Sequence, residues 1–206
     1  MSTLCVLESI EESLLHSKHK IVLASSSPRR KELLNKLGFE FIVCEPTIEE
    51  KSDNPDPRKR VIENAKTKAL SLKDLQPNSL IIGADTIVYI DGLFLGKPNG
   101  INDARNMLGT LSGKTHQVFT GVAVLDTSSD RIFTGVDETL VIFKYLDPER
   151  IESYIHSGEP LDKAGSYAIQ GLGRAFVKNI NGSENNVIGL PLDLLENLLN
   201  KINEGN

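Results

Sequence analysis

Cysteine is scarce: the 206 residues hold only Cys5 and Cys44, far apart and without CxxC spacing. That excludes a disulfide scaffold and predicts reduced thiols in a cytoplasmic protein. No apolar run is long enough to span a membrane, and Glu8, Glu11 and Glu12 interrupt the stretch where a signal peptide needs an unbroken apolar core. A net charge of −5 gives no general attraction to nucleic-acid backbones. The chain also lacks GxxxxGK[ST], a GxGxxG after its first strand and a GxSxG elbow, and His16, His19, His116 and His156 show no zinc spacing. A P-loop, a dinucleotide fold, a serine hydrolase and a zinc centre are all left without their signatures. There is neither an internal repeat nor a low-complexity linker, and the length suits one domain or two small lobes.

What is present is a local conflict in Ala24-Ser25-Ser26-Ser27-Pro28-Arg29-Arg30-Lys31. Ser27 suits an N-cap, Pro28 suits the first helical position, and Leu33, Leu34 and Leu37 make an apolar face ended by Gly38. The first turn of that helix exposes unpaired N–H groups and about half a positive charge, so Arg29, Arg30 and Lys31 add like charge to like. A surface helix with its cations in water is the bland reading. An arriving anion resolves the conflict, and amides, serine hydroxyls and guanidinium forks together suit phosphate oxygens. Ile21-Val22-Leu23-Ala24 reads as the strand that delivers this loop to a sheet end.

Further along, the pattern predicts a strand over 39–44, a helix over about 58–72 and a long apolar strand over 79–90. Asp91-Gly92 signals a hairpin returning through Leu93-Phe94-Leu95 to Gly96-Lys97-Pro98. A helix over 102–111, long strands over 115–125 and 132–145, a helix from Asp147-Pro148 to Gly158, short strands over 167–170 and 175–180, and a final helix over 192–202 follow. Asn181-Gly182-Ser183 reads as a turn, and Leu4, Leu7, Ile10, Leu14 and Leu15 as one face of an appended helix. Early alternation with central hairpins implies an α/β fold, a mixed sheet flanked by helices.

Within the run Leu80 to Ile90, Asp85 is a lone carboxylate. Taken out of water it must be paired, metal-bound, protonated or open to a wet cleft, and Gly83 permits close backbone approach beside it. Lys97 follows the Asp91-Gly92 hairpin. Glu49 and Glu50 offer a second acidic point, Lys66 and Lys68 lie on a helix, and Gln170 ends a short apolar segment where it is either a satisfied amide or a reader of a base edge. His116 reads as a hydrogen-bonded structural residue. Together these supply cations for oxyanions and carboxylates for a divalent ion or for water, as phosphoryl chemistry requires.

The ordered set Ser25-Ser26-Ser27-Pro28-Arg29-Arg30, Gly83-Ala84-Asp85-Thr86, Gly96-Lys97-Pro98, Leu111-Ser112-Gly113, Thr120-Gly121-Val122, Asp162-Lys163-Ala164-Gly165-Ser166-Tyr167-Ala168-Ile169-Gln170-Gly171 and Gly189-Leu190-Pro191-Leu192 resembles the Maf family of nucleoside triphosphate pyrophosphatases. The resemblance begins at about Lys20, leaving 1–19 as an N-terminal extension and 20–206 as the Maf-like domain. It implies an elongated mixed sheet of the inosine-triphosphate-pyrophosphatase kind, with two lobes and a central cleft. It also implies hydrolysis between the α and β phosphates with Mg2+ or Mn2+, a homodimer, and a nucleoside triphosphate as partner rather than nucleic acid or membrane. Asp85 then stands where the family has its proton acceptor, as base or metal ligand. Ser25, Arg29, Arg30, Lys68 and the catalytic Lys97 would line the triphosphate site, with Glu50 near the metal. Specificity positions carry over as Arg29, Thr86 and Gln170, and Ile169-Gln170-Gly171 resembles the branch acting on dTTP and UTP. The alternatives are the 7-methyl-GTP branch and a nucleotide-binding regulator of cell division or stress.

Overall fold

Lys20–Ala24 forms β1, whose apolar residues are all buried after the exposed Lys20. A computed structural model describes residues 19–48 and 52–204; the expected N-terminal helix, Glu49 and Glu50 lie outside them. Seven strands run in the order β2-β1-β3-β5-β6-β7, with β4 paired to β3. β2 (Ile42–Cys44) and β3 (Ser79–Ile90) both run parallel to β1. β4 (Leu93–Leu95) is antiparallel to β3, so the sheet is mixed, as the alternation of elements predicts. The hairpin follows from Asp91-Gly92, both at positive φ (50° and 83°), the turn geometry whose twist matches paired strands. Among the described residues no helix is long and apolar enough to cross a membrane.

The described residues divide into two compact units, one within 19–85, 120–137 and 189–204, the other 86–119 with 138–188. In the first, helix α1 (Pro28–Asn35) follows β1 and buries Leu33 and Leu34. Helix α2 (Pro57–Leu70) starts at Asp56, whose side chain accepts the Arg58 N–H at 2.9 Å. Ala65, Ala69 and Leu72 pack with Val22, Ala24, Ile81, Ala123 and Leu125. Two strand glycines set that packing. A Cβ at Gly83 would lie 2.3 Å from the Ala65 carbonyl oxygen, and one at Gly121 would lie 2.4 Å from the Val61 carbonyl carbon and oxygen. The helix backbone therefore rests on bare sheet backbone.

The second unit holds β4, helix α3 (Ile101–Leu111), helix α4 (Pro148–His156), β7 (Val177–Asn181) and the short helix α5 (Glu184–Ile188). The unit boundaries fall inside β3, β5 (Thr115–Asp126) and β6 (Arg131–Phe143). Its core gathers Val88, Leu108, Leu111, Phe143, Tyr154, Tyr167 and Phe176. The closing helix, α6 (Leu192–Glu204), belongs to the first unit.

One element departs from expectation: 167–170 is not a strand. Ser166 takes φ 59°, which turns the chain out of any ladder, and the Tyr167 hydroxyl pairs instead with His116. Helix α5 has no counterpart in the sequence pattern; Ser183 caps it, its hydroxyl oxygen accepting the Asn186 N–H at 3.2 Å.

Candidate active site

Register brings the loop and the acid together. Ala24, the last residue of β1, pairs with Gly83 in parallel, so the serine loop leaves the sheet at the same strand end at which Asp85 lies two residues past the pair. In open α/β sheets that carboxyl end is where ligands bind. Helix α1 begins four residues beyond Ala24. Ser27 stands at its N-cap, yet makes no side-chain cap; Ser25 Oγ accepts the Ser27 N–H at 3.1 Å instead. The Arg30 guanidinium donates to Ser25 Oγ at 3.3 Å and to the Gly189 carbonyl at 2.8 Å, which draws one of the two arginines over the loop rather than into solvent. Arg29 precedes it on the same half-buried turn.

Asp85 is 2% exposed. Lys68 Nζ donates to Asp85 Oδ1 at 2.9 Å and to the Ala84 carbonyl at 3.0 Å, and Asn64 Nδ2 donates to Asp85 Oδ2 at 2.9 Å. Asn64 and Lys68 are one helical turn apart, so α2 presents both from one face. The glycine contacts at Gly83 and Gly121 bring that face down on the strand. Burial alone would raise the Asp85 pKa, but the Lys68 charge and hydrogen bond, the Asn64 amide and the Arg30 charge outweigh it and hold the carboxyl below its ordinary range. The pull from Arg30 ties the helix-entrance cation electrically to the acid.

Asn64 is the residue that sequence reasoning missed. Its Oδ1 accepts the Ser52 N–H at 3.1 Å while its Nδ2 serves Asp85, so one buried amide joins the 52–54 segment to the acid. Its only sequence signal is the spacing of four from Lys68. The neighbouring Glu63 accepts from Ser52 Oγ at 2.5 Å and Asn54 Nδ2 at 2.9 Å, fixing the same segment at a second point. Glu50, expected near a metal, lies outside the described residues.

The other expected residues belong to the second unit. Thr86 opens its part of β3. The chain leaves the β3–β4 ladder at Leu95, opposite Val88, and the antiparallel direction takes the exposed Lys97 back toward the Thr86 end. Gly96 is pinned there, its carbonyl accepting the Gly165 N–H at 3.0 Å. Gln170 is exposed in a turn. His116 is structural, as expected: Nε2 pairs with the Tyr167 hydroxyl at 2.7 Å, and burial lowers its pKa to about 4.

Among the described residues no group of three His, Cys, Asp or Glu side chains could hold a metal ion, so what the site offers a divalent cation is the spare acceptor capacity of Asp85. Asp85 spends one hydrogen bond on each oxygen, and a carboxylate offers about four acceptor sites, so both oxygens retain capacity. Magnesium characteristically takes one or two carboxylates and completes its shell with phosphate oxygens and water.

The family model described as Maf-like protein matches residues 20–202. A dTTP/UTP pyrophosphatase of Ruminiclostridium cellulolyticum is 47% identical over 186 residues, 89% of this chain and 96% of the relative. The dTTP/UTP pyrophosphatase of Dictyoglomus thermophilum is 44% identical over 187 residues, 90% and 97% of the two chains. Among solved structures, the Staphylococcus aureus Ham1 protein aligns with a TM-score of 0.44 at 13% identity, covering 89% of this chain and 99% of that one. At that distance the likeness bears on neither activity nor substrate.

Proposed function

The chain belongs to the Maf-like family, and from that premise we propose that it is a nucleoside triphosphate pyrophosphatase that hydrolyses dTTP and UTP to the nucleoside monophosphate and pyrophosphate. The observation that carries the reading is a buried carboxylate kept ionised by Lys68, Asn64 and Arg30 at the strand end where the arginine-bearing helix begins. Phosphoryl transfer leaves little covalent work to a protein, so catalysis rests on positioning and on offsetting charge.

In this reading Arg29, Arg30, Lys68 and Lys97 take the phosphate oxygens, helped by Ser25 and the first-turn amides of α1. Water oriented by Asp85 attacks the α-phosphorus; its oxygen forms the new P–O bond as the bridging oxygen to the β-phosphorus leaves with pyrophosphate, and the released proton passes to solvent. A carboxyl held below its usual range is a weak proton sink. Orienting water and holding a divalent cation therefore suit Asp85 better than storing the proton. Asp85, with Glu50 by family resemblance, would hold Mg2+ or Mn2+; when bound, the cation polarises phosphoryl oxygens and offsets the triphosphate charge. Thr86 and Gln170 would read the nucleoside, Gln170 through an amide that both donates and accepts. The same reading takes the enzyme as a cytoplasmic homodimer acting on free nucleotide rather than on nucleic acid or membrane; a monomeric mass by sedimentation would remove the dimer.

Product analysis tests the reaction. With UTP and magnesium, UMP and pyrophosphate are expected, at higher kcat/KM than with 7-methyl-GTP. Asp85→Asn should lose turnover by at least a hundredfold while calorimetry still detects UTP binding. Release of UDP and orthophosphate, or equal turnover by the Asn variant, would remove the assignment.

A further inference from the structure

Glu159 is an acid of the second unit that the mechanism leaves unused, and its carboxylate accepts three hydrogen bonds. It opens a 3-10 turn, Glu159–Asp162, directly after helix α4. Its Oε1 accepts from the Tyr154 hydroxyl at 2.8 Å and from the Gly173 N–H at 3.1 Å, and its Oε2 accepts from the Leu172 N–H at 2.9 Å. Burial works against the charge, but the two backbone N–H groups, the Tyr154 hydroxyl and the Lys163 charge outweigh it, so the carboxyl sits below its ordinary range. Consecutive amides turned toward one point form an anion-binding concavity. Here the chain fills that concavity with its own carboxylate, so the Gly171-Leu172-Gly173 turn is not open to a phosphate.

The glycines make the fit possible. A Cβ at Gly171 would lie 2.5 to 2.7 Å from the three carboxylate atoms of Glu159, and one at Gly173 would lie 2.7 Å from the Ala168 carbonyl oxygen and 2.9 Å from the Tyr154 hydroxyl. On the other side of Gln170, Tyr167, Ala168 and Ile169 are buried, and the Tyr167 hydroxyl is bound to His116. Gln170 is thus an exposed side chain on a backbone fixed at both flanks, upstream by His116 and downstream by Glu159.

We propose that Glu159 is a positioning residue for nucleobase selection: it locks the 170–173 turn so that the Gln170 amide meets the base in one orientation. The proposal rests on the pyrophosphatase reading and deepens it. An unfixed turn would let an amide, whose oxygen and nitrogen have opposite hydrogen-bond polarity, meet several base edges, and a site loses discrimination when its polar groups no longer match one partner only.

The test is Glu159→Gln, which keeps the volume but sets an NH2 group against N–H donors. Its kcat/KM for UTP should fall at least tenfold while that for ATP changes less than twofold, so the UTP:ATP ratio collapses. Added to Gln170→Ala, the substitution should cause no further fall in that ratio, because the two act through one contact. Glu159→Asp, which restores the charge, should recover part of the ratio. If Glu159→Gln does not fold, Tyr154→Phe removes one of the three donors and should lower the same ratio in the same direction. An equal loss for UTP and ATP, or additive effects with Gln170→Ala, overturns the proposal and leaves the pyrophosphatase reading standing. A wild-type enzyme that turns over UTP and ATP alike overturns the pyrimidine reading first, and this proposal with it.

Discussion

Removing one member of the Asp85–Lys68 pair leaves the other charged and buried without its ion-pair partner. Breaking such a pair costs about 3–5 kcal/mol, whereas replacing both members is often nearly neutral. Lys68→Met should therefore lower the unfolding free energy from urea titration by an amount of that order, and the same change in an Asp85→Asn background should cost far less; additive losses would show that the contact at 2.9 Å is not a coupled pair. Asn64→Asp puts a second carboxylate against the first. Like charges so close raise one pKa, so the acid limb of the kcat profile should move to higher pH, and a profile superimposable on wild type would deny Asn64 its hold on Asp85. Sequence alone made Asp85 legible, because a lone acid in an apolar run demands a partner. It hid Asn64, since an asparagine in mid-helix has no signature until the helix is laid on the strand. Lys68 stood between the two: its helix reads as solvated, and only family resemblance lifted it out.

At the scale of elements, β3 was readable to its ends because Asn78 and Asp91, both at positive φ, close a long, mainly apolar run. The segment 167–170 was not, because so short a run carries no record of whether its polar groups meet a ladder or side chains. Helix packing adds a constraint that strand propensity conceals. Glycine weakens a strand, yet Gly83 and Gly121 are what let α2 approach. Gly121→Ala forces the Val61 and Ile62 backbone away, an overpacking worth about 1–3 kcal/mol. The displaced helix carries Asn64 and Lys68 with it, so kcat with UTP should drop more than tenfold even at temperatures where circular dichroism shows the variant fully folded. Gly109 is the contrast. It lies exposed in α3, and a Cβ added there would have nothing within 4 Å, so Gly109→Ala should raise stability by about 0.5–1 kcal/mol and leave turnover unchanged.

For the whole molecule, charge should make acid the weak side. Asp85, Asp126 and Glu159 all have carboxyl groups held below their ordinary values, against burial, by hydrogen bonds and nearby cations. Their contribution is complete above about pH 4.5, where unfolded carboxyls are ionised, and is lost as pH falls through the folded values. His116 acts earlier. Burial depresses its pKa from 6.5 to about 4, so between those values the unfolded chain takes up a proton that the folded chain refuses, and stability falls with pH. A full proton of difference is worth about 1.4 kcal/mol per pH unit, which over this window amounts to a loss on the order of 3 kcal/mol. Above pH 6.5 the histidine is neutral in both states and contributes no slope. His116→Gln keeps a hydrogen-bonding group opposite Tyr167 and removes the titration. Urea midpoints taken from pH 7.5 to 4.5 should decline for wild type from about pH 6.5, and stay level for the variant until the carboxylates begin to protonate. Parallel curves would mean that the imidazole is protonated in the folded core, with a partner on the Nδ1 that has none among the described residues.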